Sequence, residues 1–446
     1  MYQKILSGIS NCFVATNTVM LIGNILCEDT MKLFQRLLVA PAALGLMAPL
    51  AVNADVTAVS NDVSSEVIEA RVDGIEAQLG EIQAGSFSST TTLSGKAAFQ
   101  LGYVDEGGTA TNDEVAMTYM YQLNMNTSFT GDDLLYTRIK AGNGGTHWAS
   151  DAAKQNGTYL SSGHTSGTAD VLDVDKIWYQ FPIGDEIKVW VGPLIENYYM
   201  LASAPSIYRP VLKQFALGGN GTVYGSSTKP GFGAAWTQSV DDPSSPRFAV
   251  SAAYTNQNGA SSTGGLLDED GKSALLTKFE YGSPQWQVSA AVALKENGWS
   301  DSYFTTEKGK KRLAGTSETA IGLRAYWKPD EAGAVPSVQL GYDLSDIEDN
   351  GSNVDEASGW MVGLMWDDLV ADGNRGGVAF GSRVAATSMG AGGTKDAGED
   401  NTVWEAYYSF KVNDGVTITP AIFGGDETST GTEDISGGIV LTEFRF

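Results

Sequence analysis

The 446-residue chain has only two cysteines and two histidines. That leaves little material for a metal cluster, a thiol nucleophile or a disulfide framework. Proline is scarce, at 13 residues, and charged residues make up 18%. The charges are lopsided: 28 Lys and Arg against 53 Asp and Glu give a formal net charge of −25. A nucleic-acid partner needs a basic face to displace counterions, so this balance argues against one. With a mean hydropathy of −0.13 the chain is too polar for a bundle of membrane-crossing helices. What it has instead is glycine, 53 residues, with aromatics at 10%. Glycine-rich, proline-poor and aromatic points to many strands joined by tight turns.

The N-terminus reads as an export address. Met31 is followed by Lys32 and Arg36, an apolar run over 37–52, and small residues ending at Ala54. These are the three parts of a secretory signal, residues 31–54, with cleavage expected between Ala54 and Asp55. Residues 1–30 do not fit that signal and read as an extension upstream of the true start at Met31, absent from the mature protein. The rival is a membrane anchor over residues 5–26, interrupted by Asn and Gly. Cys12 and Cys27 both fall in the removed region, and Leu26 disfavours lipid attachment at Cys27. The mature chain is then cysteine-free.

Residues 63–84 read as a short coiled-coil helix, with Val72, Ile75, Leu79 and Ile82 on one seam. Gly74 and Gly80 each cost about 1 kcal/mol relative to Ala. The helix would be marginal alone, which favours self-association through the seam. The alternatives are packing on its own chain, or a frayed spacer.

From residue 91 to 446 one theme repeats. Leu93, Gly95, Ala97, Phe99, Leu101 and Tyr103 alternate with Ser94, Lys96, Ala98, Gln100 and Gly102. Val115, Met117, Tyr119, Tyr121, Leu123 and Met125 do the same. Further runs fall at 135–141, 177–181, 187–191, 232–236, 248–254, 275–281, 286–294, 321–327, 338–344, 360–366, 378–384, 404–410, 416–422 and 440–446. Period-two alternation puts apolar residues on one face and polar residues on the other. About sixteen such runs predict an all-β, transmembrane antiparallel β-barrel. Loop lengths agree: even-to-odd connections are short, and odd-to-even ones longer, up to 142–174 and 192–231. A secreted β-sandwich or lectin has no reason to keep that parity.

Charges avoid the apolar rows. The opposite rows carry Lys96, Arg138, Lys140, Lys176, Lys188, Arg247, Lys278, Lys295, Arg324, Arg383, Lys411 and Arg445, and the acids Glu280, Asp343, Glu405 and Glu443. A lipid-facing Lys or Arg near the bilayer centre costs about 2–4 kcal/mol, so these residues are expected to line a wet lumen. Trp286, Trp327, Trp360, Trp366 and Trp404 fall near expected strand ends on the apolar rows, as an interfacial girdle requires. Many remaining acids fall in the long loops. The expectation is an acidic mouth enriching cations above a basic wall, with the narrowest part deciding selectivity. The alternative is that the external acids only keep the surface solvated. The third long loop, 192–231, is rich in apolar residues such as Tyr198, Met200, Leu212 and Phe215. It is expected to fold into the lumen as a constriction with Arg209 and Lys213 as lining cations; packing at a subunit interface is the competing view. His147 and His164 share one Gly/Ser/Thr-rich loop without catalytic or metal spacing, and read as solvated.

Residues 78–103, above all Phe87-Ser88-Ser89-Thr90-Thr91-Thr92-Leu93-Ser94-Gly95-Lys96, resemble the junction of coil and first strand in cyanobacterial outer-membrane porins, relatives of the carbohydrate-selective porins. Ile177-Trp178-Tyr179-Gln180-Phe181-Pro182-Ile183-Gly184-Asp185 is similar to a hairpin of those porins, and the terminal Phe446 resembles the assembly signal of outer-membrane barrels. The resemblance implies homotrimers of sixteen-stranded channels embedded in outer-membrane lipid, with iron among the cargo proposed for the family. It also implies passage of inorganic ions and small hydrophilic solutes, or of sugars, although no sugar-recognition residues match one by one. Many members carry a peptidoglycan-binding S-layer homology domain before the coil. Only residues 55–62 separate the expected cleavage site from the helix here, so that domain is expected to be missing and peptidoglycan contact lacks its carrier. No catalytic constellation, cofactor or metal site is expected. A structural tether of the envelope is the leading alternative to a channel.

Overall fold

The computed structural model describes residues 90–105, 114–164, 169–219, 221–225, 228–299, 307–395, 401–427 and 434–446. The upstream extension 1–30, the signal segment 31–54 and the seam residues Val72, Ile75, Leu79 and Ile82 lie outside them. Sixteen strands follow in order: β1 Thr91–Asp105, β2 Ala116–Thr127, β3 Leu134–Gly142, β4 Asp173–Ile183, β5 Ile187–Ile195 and β6 Lys229–Thr237. Next come β7 Arg247–Asn256, β8 Ser273–Gly282, β9 Trp286–Lys295, β10 Ser317–Trp327 and β11 Ser337–Glu348. The circuit ends with β12 Val354–Asp367, β13 Arg375–Met389, β14 Thr402–Asn413, β15 Val416–Gly425 and β16 Ile435–Arg445. Each strand pairs antiparallel with its sequence neighbours, and β1 pairs with β16 to close a barrel. Closure matters because hydrocarbon offers no partner for an open strand edge.

Side-chain alternation follows the pleat. On β1, Phe99, Leu101 and Tyr103 face outward and are exposed, while Ala98, Gln100 and Val104 are buried inward. On β8, Phe279 is 55% exposed and its neighbour Lys278 is 0% exposed. The seam is tied at the C-terminus. The Gly95 N–H donates to the Phe446 carbonyl at 2.7 Å, and the Phe446 N–H donates to the Gly95 carbonyl at 3.1 Å. The Phe446 ring covers Gly95, where a Cβ would sit 2.2 Å from the ring, and it stacks on Tyr121 at 6.2 Å between centroids.

Three details depart from the sequence reading. First, several strands run past their apolar rows into the long-loop end, so the β11–β12 connection shrinks to residues 349–353. It is shorter than the 238–246 turn between β6 and β7, and the loop parity is not strict. Second, the β12–β13 register slips between Ser358 and Trp360; Val384, assigned to the outward row, is buried with Ile347, Val354 and Ala357. A bulge of this kind flips the residues beyond it. Third, Trp360 sits near the middle of β12 rather than its end, edge-on to Phe380 at 5.5 Å. Trp286 and Trp327 pair directly at the short-turn rim.

Turn chemistry is local and specific. In the β2–β3 turn, the Asp133 carboxylate accepts from Tyr179 Oη (2.6 Å), Ser128 Oγ (2.7 Å) and the Phe129 and Thr130 N–H groups (2.8 and 2.9 Å). These bonds, Tyr179 first, hold its carboxyl well below the usual range. In the β3–β4 connection, helix α1 Asp151–Asn156 is capped by Ser150, whose side chain accepts from the Ala153 N–H.

Candidate functional site

The β5–β6 connection turns into the barrel instead of standing above it. On one side its Met200, Leu201, Val223 and Tyr224 are buried against Ala235, Ala253, Leu276, Ala291, Ala293 and Ala320 of β6–β10. This wall is made of small inner residues, so the backbone of the loop approaches closely. A Cβ on Gly341 of β11 would lie 1.7 Å from the Gly218 carbonyl oxygen. On the other side Tyr208, Val211, Leu212 and Phe215 pack with Met361, Met365, Ala379 and Tyr407 of β12–β14. Burying an aromatic or aliphatic side chain of this size contributes about 1.5–3 kcal/mol, which explains why an apolar loop is held inside.

Polar residues of the inner rows anchor the loop. Glu405 is the clearest case: its 0%-exposed carboxylate accepts from Tyr208 Oη (2.9 Å) and from the Val211 and Leu212 N–H groups (3.3 and 2.7 Å). Arg324 Nε donates to the Leu217 carbonyl at 2.8 Å and its guanidinium pairs with Asp343 at 2.7 Å. Lys278 donates to the Ser203 carbonyl at 3.0 Å and pairs with Glu280. Gln339 accepts from the Ile207 N–H at 3.0 Å. Four groups expected to line open water — Lys278, Arg324, Asp343 and Glu405 — therefore lie on the inner face but under the loop.

Lys295 and Arg383 need the same correction. Lys295 is buried against Glu318 at 3.0 Å, which Arg312 also contacts. Arg383, 0% exposed, donates to the carbonyls of Asn156, Asp426 and Glu427, tying two long connections to the wall. A fixed cation inside a barrel is held by whichever carbonyl or carboxylate reaches it, since a buried unpaired charge is costly. Strand extension supplies the partners missing from the sequence reading: Asp175 and Glu318 join the four acids noted there. Lys188 and Arg247 sit near the short-turn rim on the inner rows, Lys188 exposed.

Two chambers remain beside the loop. The first, about 410 Å³, is lined by Arg209, Arg375, Tyr407, Glu443 and Arg445. Within it Lys96 pairs with Glu443 at 2.8 Å, and the Arg209 guanidinium sits lower than usual in pKa through burial and the nearby Arg375 charge. The second, about 290 Å³, is lined by Arg138, Lys140, Lys176, Lys213, Asp175 and Glu196. Here Lys176 pairs with Glu196 at 2.9 Å, Arg138 pairs with Asp175, and the Lys213 ammonium lies 5.6 Å from the Tyr159 ring centre. Lys96, Ser161 and Ala216 line both chambers and mark where they adjoin. Arg209 and Lys213, both on the inserted loop, thus face different chambers.

The β3–β4 connection was invisible as a pore element in the sequence. It lies against the inserted loop: Ser161 N–H donates to the Val211 carbonyl (2.8 Å), Lys213 N–H donates to the Tyr159 carbonyl (2.7 Å), and Leu160 bridges Leu212. Trp148 and Leu160, both fully buried, were the available signal, diluted among Gly, Ser and Thr. The solvated reading fails for both of its histidines, whose Nε2 atoms are buried, and His164 lines the second chamber. Burial and the Lys140 charge push its imidazole down to about 4, so it is neutral at pH 7.

The closed-barrel fold has known counterparts. The OprB structure of Pseudomonas putida superposes with a TM-score of 0.51 at 11% identity, covering 84% of this chain and 97% of that one. Salmonella typhi OmpF gives a TM-score of 0.51 at 11% identity, covering 80% of this chain and 97% of that one. An uncharacterized protein of Nostoc sp. is 26% identical over 419 residues, 85% of this chain and 69% of its own. One from Synechocystis sp. is 24% identical over 394 residues, 79% and 68% of the two chains. Residues 51–424 match the family described as carbohydrate-selective porin, OprB family. The chain belongs to that family, and it is an outer-membrane porin, a channel and not an enzyme.

Proposed function

We propose that the channel passes small hydrophilic solutes and inorganic ions by diffusion, and that its narrow part favours anions. The carrying observation is the charge around the adjoining chambers. Lys96, Arg138, Lys140, Lys176 and Lys213 face Asp175 and Glu196 in one; Lys96, Arg209, Arg375 and Arg445 face Glu443 in the other. Fixed cations at a constriction raise the local anion concentration, and low-dielectric walls strengthen the effect. An acidic mouth enriches cations only upstream of that point. The inner-row residues Lys96, Arg138, Lys140 and Lys176 are then pore-lining, with Arg209 and Lys213 as constriction residues. Reversal potentials of the purified protein in a planar bilayer under a KCl gradient test this. The expected sign is anion-favouring; a cation-favouring or neutral sign overturns it. A silent membrane would favour an envelope tether instead.

A neutral sugar is the second reading, favoured by the family's description and by Tyr159, Tyr198 and Tyr199 in the lining of the second chamber. Swelling of proteoliposomes in glucose separates the two. The proposal extends to assembly and export: cleavage after Ala54, a trimer aided by the 63–84 seam, and Phe446 as the barrel-assembly signal. N-terminal sequencing of the mature protein, cross-linking in the membrane, and folding yield of a Phe446→Ala variant test these in turn.

A further inference from the structure

Beside the inserted loop, the second chamber has more positive charge than its own carboxylates neutralise. Glu196 and Asp175 are both taken, by Lys176 and Arg138 respectively. The Lys140 ammonium, on the same wall, has no ion-pair or hydrogen-bond partner among the described residues. The buried Nε2 of His164, which also lines this chamber, has no hydrogen-bond partner among the described residues. With Lys96 engaged by Glu443, the cations Arg138, Lys140 and Lys176 stand against two carboxylates, a formal excess of one positive charge. The ammonium groups of Lys140 and Lys176, the Arg138 guanidinium and the Ser161 hydroxyl line one space of about 290 Å³, with the His164 imidazole at its edge. Several donors beside a formal positive excess match an anion that has several acceptor oxygens.

We infer that this chamber is a binding subsite for a small inorganic oxyanion of the phosphate class, with Lys140 as its principal ligand and His164 Nε2 as a second partner. The inference rests on the proposed anion preference of the channel and goes further by placing a stopping point on the path. An anion held by several donors leaves more slowly than chloride, so phosphate both permeates and obstructs.

The test is single-channel recording of the purified full-length protein in chloride at pH 7, with inorganic phosphate added stepwise. Phosphate is expected to produce concentration-dependent interruptions of the chloride current. In Lys140→Gln the half-blocking concentration should rise at least about tenfold, the loss of roughly 1.4 kcal/mol of binding, and Lys140→Arg should restore block. Lys272→Gln, on an exposed loop away from the chamber, should be blocked like the unaltered protein. Heat-modifiable mobility on gels confirms that each variant is a folded barrel. Uninterrupted current in phosphate, equal block in Lys140→Gln, or equal block by glucose would each overturn the subsite. The reversal potential in the same membranes reads the parent proposal separately. Anion preference without phosphate block sinks only the subsite, whereas cation preference sinks both.

Discussion

Opposite walls of this barrel solve different problems. The wall of β6–β11 presents alanine, glycine and paired charges, and the inserted loop fills the space they leave. Its ion pairs are dry: the Arg324 and Asp343 side chains are each 2% exposed. The wall of β1–β4 with β16 presents long basic side chains to the chambers, and its pairs are wetter, with Lys96 26% and Glu443 15% exposed. The same residue types therefore do different jobs. On the packed wall they hold a loop in place; on the open wall they set the field a solute meets. Small residues decide which wall is which, because only a wall without bulk lets a backbone lie against it.

That contrast is broken most directly at its ion pairs. Arg324→Met leaves Asp343 buried without a counter-charge and should cost about 3–5 kcal/mol. Lys96→Met on the open wall should cost no more than about 1 kcal/mol. Urea unfolding of the refolded barrels in lipid measures both, and equal losses would erase the distinction. Next in size is Glu405→Ala. Stranding the Tyr208 hydroxyl and two loop N–H groups should cost about 1–3 kcal/mol. It should also loosen the loop, seen as higher and noisier single-channel conductance; a quiet, unchanged channel would show that apolar packing alone holds it.

Charge reversal on the loop sharpens the comparison without touching the packed wall. Arg209→Glu and Lys213→Glu should each move the reversal potential toward cation preference, and Lys188→Glu at the rim should move it less. If Lys188 has the larger effect, the constriction lies elsewhere. The smallest effect concerns pH. His164 titrates near 4 in the folded protein against about 6.5 when unfolded, so between those values only the unfolded chain takes up a proton there. Its contribution is a loss of stability as pH falls through that window. Its neutral state at pH 7 and 5 also means that His164→Gln should leave ion preference unchanged at pH 7, with the two proteins diverging only as pH approaches 4. Divergence at pH 7 would mean a charged imidazole.

Much of the barrel was legible because period two is a local property: Phe99, Leu101 and Tyr103 declare a face wherever the strand ends up. The candidate site was legible only in part. Position on the inner rows was readable for Lys140, Arg324 and Glu405, but their partners were not. Lys96 meets Glu443 across 347 residues of chain, and Glu405 meets Leu212 across 193. Apolar content singled out the β5–β6 connection, whereas the β3–β4 connection hid Trp148 and Leu160 in a polar background. Strand ends were misplaced for a related reason. Backbone pairing continues at the rim after the hydrocarbon, and with it the apolar row, has stopped.

Sequence alone determined that alternate residues would face lipid and that charge would be kept off those rows, because the bilayer imposes the same rule on every strand separately. Only the tertiary structure decided which inner charges meet water and which disappear under a loop, because that depends on distant segments reaching the same wall and on the room its small residues leave.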